Sequence, residues 1–89
     1  MNNLPGQELV YKGIEDLKKG LLTIESLLVL IGSPKLKSLG LSLPEFSVDQ
    51  PEHKLYELLS VDSDGAHSKY NSLIRRLVSF ERSFHAPTH

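Results

Sequence analysis

Between Pro5-Gly6 and Gly32-Ser33-Pro34, the apolar residues Val10, Ile14, Leu17, Leu21, Ile24, Leu28 and Ile31 recur at alternating spacings of four and three. That spacing holds an apolar stripe on one side of a 3.6-residue helix. One long amphipathic helix over about residues 7–31 is therefore expected, stopped by Gly32 and by Pro34, which cannot continue a helix. The opposite face carries Lys12, Glu15, Asp16, Lys18, Lys19 and Glu25 and should be solvated, with Glu15 and Lys19 in a favourable i,i+4 relation. Beyond Gly20, Leu21, Leu22, Ile24, Leu27, Leu28, Val29, Leu30 and Ile31 point in nearly every direction around the axis. A helix that is apolar all round has to be buried all round.

A second seam runs through Ala66, Tyr70, Leu73, Leu77, Phe80 and Phe84, widened by Ile74 and Val78, and predicts another long helix over about 65–85 that stops at Ala86-Pro87. The segment between the seams reads as smaller pieces. Ser33-Pro34 to Gly40 suits a helical turn or two. Leu41 to Gln50 alternates apolar and polar residues, but a lone strand has nothing to pair with, so an extended connector laying Leu41, Leu43 and Phe46 over the core is expected. Asp49 or Gln50 then caps a short helix that starts at Pro51, ends near Val61 and turns Leu55, Leu58 and Leu59 inward. Asp64, in the turn Asp62-Ser63-Asp64-Gly65, is placed to cap the last helix.

The fold class that follows is all-α: two long amphipathic helices plus one or two short helices and an extended connector. With 89 residues the chain holds a single helical domain, 1–89, whose ends at 1–6 and 86–89 are expected to fray. Two long helices and scraps of cover are too little to bury the apolar end of the first helix within one chain. A homodimer or higher oligomer completing a helical bundle is therefore expected. Gly6, Gly13 and Gly20 fall one heptad apart, and Gly13 and Gly20 lie beside the seam, where they would let another helix approach closely. The candidate self-association residues are accordingly Gly13, Gly20, Leu21, Leu28 and Ile31.

Chemistry-bearing patterns are few. Zero cysteines exclude disulfides, thiolate metal sites and thiol nucleophiles. Asp62-x-Asp64-Gly65 fits a calcium loop in neither register, because position twelve falls on Leu73 or Asn71 where a Glu is required. His53, His67, His85 and His89 lack the spacing that would bring three ligands together. The serines lie in no nucleophile elbow, and no phosphate-cradling glycine motif occurs. No catalytic residue, metal site or cofactor is expected. The start Met1 to Glu8 is polar, and Leu21 to Ile31 is far shorter than a membrane span of about 20 residues, so a cytoplasmic protein with no membrane partner is expected.

A formal net charge of −1 gives no global field for a polyanion. Locally, however, Lys69, Arg75, Arg76 and Arg82 oppose only Glu81 from Ala66 onward. The stretch around residues 52–76, a short leucine-bearing helix, a Gly-containing turn and a helix opening with Ser, Lys and Asn, resembles a helix-turn-helix. Lys69, Asn71, Arg75, Arg76 and Arg82 are the candidate contacts to DNA or to another anionic partner. The reading is a small non-enzymatic interaction or regulatory protein whose partner is itself, another protein or, as the alternative, DNA.

Overall fold

The computed structural model describes residues 4–44, 48–62 and 65–84. Within them the chain forms four helices and no strand: α1 (Gln7–Lys18), α2 (Ile24–Ser38), α3 (Pro51–Asp62) and α4 (Ala66–Phe84). The all-helical class expected from the two seams is present. The first long helix, however, is two helices that fold back on each other.

The break falls at Gly20. Its φ of 74° lies in the left-handed region, where a residue without Cβ sits at little cost. The Gly20 amide donates to the Leu17 carbonyl (3.0 Å) and the Leu21 amide to the Asp16 carbonyl (2.9 Å), the bond pair that closes a helix C-terminus. Thr23 then starts α2. Its hydroxyl accepts from the Ser26 amide (3.2 Å), and its own amide donates to the Ser26 hydroxyl (2.7 Å), a capping box built on Thr and Ser. The expected stop at Gly32-Ser33-Pro34 also moves, because α2 runs through Pro34 to Ser38. The turn anticipated after Ser33 is thus the end of α2, held by Leu36, which is fully buried.

This refolding changes how the apolar surplus is covered. α2 is the central helix, packed against α1, α3 and α4, with Leu27, Leu28 and Val29 almost wholly buried. The chain therefore covers its own most apolar helix, and the expectation that a second chain must do so loses that reason. Gly13 faces the crossing with α2, where an added Cβ would overlap the Glu25 carbonyl and lie 2.5 Å from a Val29 methyl. The smooth spot exists, but its neighbour is this chain's own helix. Gly20 lies past the end of α1, and no atom of this chain comes within 4 Å of its would-be Cβ.

The other elements follow their sequence signals more closely. α3 begins at Pro51 and buries Leu55 and Leu59 as expected, while Leu58 stands 40% exposed on the outer side. α4 buries Ala66, Leu77 and Phe80, with Tyr70, Leu73, Ile74 and Phe84 packed against the core and Val78 facing outward. Leu41 and Leu43 lie over the core as the connector reading requires. Phe46, the Asp64 cap, His85 and His89 fall outside the described residues.

One residue assigned to the solvated face of the first helix belongs inside. Asp16 is buried, and its Oδ2 accepts from Lys12 Nζ (2.9 Å) and from the Thr23 hydroxyl (2.6 Å). These two donors bond the charged form of the carboxyl and hold it below the usual carboxylate range, the Thr23 bond contributing most and burial acting in opposition. The Lys12 ammonium is correspondingly held above its ordinary value, chiefly by its bond to Asp16.

Candidate interaction surface

Of the exposed large apolar residues, Leu22, Leu58 and Val61 gather around one groove, while Tyr11, Tyr56 and Val78 stand outside its lining. The α1–α2 turn exposes Leu21 (47%) and Leu22 (44%), and the outer side of α3 exposes Leu58 and Val61, the latter 79%. Leu22, Leu27, Lys54, Glu57, Leu58 and Val61 line one open groove of about 360 Å³ between the turn, α2 and α3. A contiguous apolar groove rimmed by charge is the form a contact site takes on a soluble protein. Its rim carries one cation and one anion. Glu57 also lies 3.2 Å from His53 Nε2, one turn back on the exposed side of α3.

Two smaller grooves flank α4. Ile24, Leu59, Lys69, Ser72 and Leu73 line one of about 310 Å³, and Lys35, Val78, Glu81 and Arg82 line one of about 240 Å³. In the second, burial pushes the Glu81 carboxyl up, against the attraction of Lys35.

The residues singled out from sequence separate into distinct places. Gly13 and Leu28 are enclosed inside the chain and Ile31 is packed against the same core, so these three are engaged by α1–α4 themselves. Gly20 and Leu21 stand exposed in the α1–α2 turn, outside the groove lining. Leu22, Leu58 and Val61 do not stand out in the sequence: the apolar pattern turns the first two inward, and Val61 marks only the end of a helix. The signal that finds Leu58 and Val61 is their spacing from Lys54 and Glu57 on an α3 whose inner side is already filled by Leu55 and Leu59.

On α4 the five polar candidates occupy two sides. Lys69 and Arg76 are seven apart, as are Arg75 and Arg82, and at about 100° per residue the two pairs lie roughly 120° from each other. Arg76 is engaged with Glu8 of α1, Nη2 to Oε2 at 2.7 Å. Asn71 lies 3.3 Å from His67 Nε2 through its side-chain amide. Arg75 and Arg82 are exposed, on the side directed away from the core. Among the described residues no group of three or more His, Asp or Glu side chains is placed to hold a metal ion, and no helix is long and apolar enough to cross a membrane.

No protein-family model, curated protein or solved structure matches the chain.

Proposed function

We propose that this chain is a small non-enzymatic interaction protein that works as a homo-oligomer through the apolar face formed by the α1–α2 turn and α3. The observation that carries this reading is the gathering of Leu22, Leu58 and Val61 at the surface around one groove, with Leu21 exposed in the same turn. Leaving four such side chains wet forgoes roughly 1–2 kcal/mol apiece, which a contact recovers. Sedimentation equilibrium at micromolar concentration is the test. A mass near twice 10.0 kDa or above is expected, and a mass of one chain overturns the homo-oligomer.

A second reading, DNA binding by α4, is favoured by one specific feature. Ser68, Asn71, Ser72, Arg75, Ser79 and Arg82 form an outward strip that holds two cations and no acid. Such a strip would meet phosphates, and binding through it must weaken steeply with salt. A mobility shift at low salt that fades as salt rises supports this reading; no shift even at low salt removes it.

A further inference from the structure

The outward strip of α4 continues onto a second helix. Ser68, Asn71, Ser72, Arg75, Ser79 and Arg82 fall within roughly 100° of arc and run about 21 Å along the axis. At its far end Arg82 lines the groove of about 240 Å³ to which α2 contributes Lys35, exposed in its last turn. Two helices thus bring three cations, Arg75, Arg82 and Lys35, to one side of the molecule. Arg75 and Arg82 stand about 10.5 Å apart along the axis, with exposed Ser79 between them. Among the described residues no acid of this chain pairs with either arginine. Glu8 is engaged with Arg76, off the strip, and Glu81, which shares the groove with Lys35 and Arg82, offsets one charge of the three. This face therefore keeps a positive balance on a chain whose net charge is −1.

We infer that this face seats the backbone of duplex DNA, whose phosphates are contacted by Arg75 and Arg82 of α4 and by Lys35 of α2. The inference rests on the DNA reading above and names what is touched and by which residues.

The make-up of the strip chooses the occupant. It holds cations and no acid, the complement of a polyanion. It holds no apolar residue, whereas a protein partner is gripped by an apolar core inside a polar rim. Nor does it hold an aromatic ring, and single strands are gripped by stacking their bases on such rings. What it offers is guanidinium and hydroxyl donors, joined at its end by the Lys35 ammonium, the groups that bond phosphate oxygens. Asn71 is the one side chain of the strip suited to an adenine edge, and the amide it would use lies 3.3 Å from His67 Nε2.

The experiment measures fluorescence anisotropy of a labelled duplex of about 20 base pairs, titrated with the full chain from about 20 mM salt upward. The same strand alone, a second duplex of unrelated sequence and labelled polyglutamate serve as comparison probes. Arg75→Ala, Arg82→Ala, Lys35→Ala and, on the α3 side, Lys54→Ala are compared with wild type, helix content being followed by circular dichroism. All four positions are exposed, so the variants keep the fold. Both duplexes should bind alike and more tightly than the single strand, and the logarithm of the binding constant should fall against the logarithm of salt with a slope of about −2.7, about 0.9 for each cation. Arg75→Ala, Arg82→Ala and Lys35→Ala should each make that slope shallower by about 1, and Lys54→Ala should leave it in place. No binding of any nucleic acid at the lowest salt removes the DNA reading and this inference together. Duplex binding that the three strip variants leave unchanged removes only the site. Tighter binding of the single strand, strong preference for one duplex, or equal binding of polyglutamate through the same arginines overturns the duplex backbone as the occupant.

Discussion

Asp16 sits where α1 ends and α2 begins, and two helices depend on what it holds. Thr23 gives its hydroxyl proton to Asp16 and accepts the Ser26 amide with the same oxygen. Thr23→Ala removes the N-cap and one of the two side-chain donors to Asp16 together, so a loss of about 1–2 kcal/mol is expected in urea unfolding. The sign of the pH effect follows from the lowered carboxyl of Asp16. A carboxylate held below its unfolded value of about 4 stabilises the fold above that pH, and the contribution is lost as pH falls through the lower folded value. Asp16→Asn should therefore be less stable than wild type at pH 7 and converge on it below about pH 4. Parallel pH profiles for the two proteins would show that the carboxylate is not the linked group. Gly13 gives the steric counterpart. Alanine there gains about 1 kcal/mol of helix propensity but drives a methyl into the Glu25 carbonyl, and overpacking of about 1–3 kcal/mol or more prevails. Gly20→Ala meets no neighbour and bears only the strain of a left-handed residue, about 1 kcal/mol. Gly13→Ala should thus unfold at lower urea than Gly20→Ala.

At the scale of elements, α2 contains a contradiction that its packing overrides. Pro34 has no amide proton for the Leu30 carbonyl, and its ring crowds that carbonyl, a combination worth about 3 kcal/mol against the helix. The helix continues because Leu36 beyond the proline is fully buried and the end closes by bonds from Gly40 to Lys37 and from Leu41 to Leu36. Pro34→Ala should accordingly stabilise the fold by about 2 kcal/mol, the helical gain less the entropy that proline removes from the unfolded chain, read as a raised melting temperature. The same competition explains which parts of the fold were legible. The seams of α1 and α4 and the proline start of α3 rest on local spacing and caps, and the structure follows them. The hairpin between α1 and α2 escaped because Val10 to Ile31 keeps its three-and-four rhythm straight through the break. Thr23-x-x-Ser26 was the local sign of a new helix, hidden inside an apolar run. Pro34 misled in the opposite sense, since only tertiary burial of Leu36 shows that the helix survives it. The candidate surface is less legible, because whether Leu58 and Val61 face in or out depends on how α3 rotates against α2.

For the whole molecule, the decisive step is closing α4 back onto α1, which brings together segments far apart in the chain. Two kinds of contact do this. One is the ion pair of Glu8 with Arg76, whose side chains are 70% and 46% exposed. The other is Phe80, fully buried, edge-on to Tyr11 with centroids 6.0 Å apart and stacked with Phe84 at 5.5 Å. Beside it the backbones approach so closely that a Cβ on Gly6 would lie 2.5 Å from the Arg76 carbonyl oxygen. Exposed ion pairs contribute at most about 1 kcal/mol, whereas removing a buried phenyl ring costs about 3–5 kcal/mol. A domain of this length has a total stability of roughly 4–13 kcal/mol, so only the second loss is large enough to threaten the fold. Arg76→Ala should therefore shift the urea midpoint slightly, and Phe80→Ala should leave a substantial unfolded fraction even without denaturant. Added salt separates the two causes further: it should erase the small Arg76→Ala difference by screening the pair and leave the Phe80→Ala loss in place. Equal losses in the two variants, both diminishing with salt, would mean that charge and not aromatic packing closes the bundle.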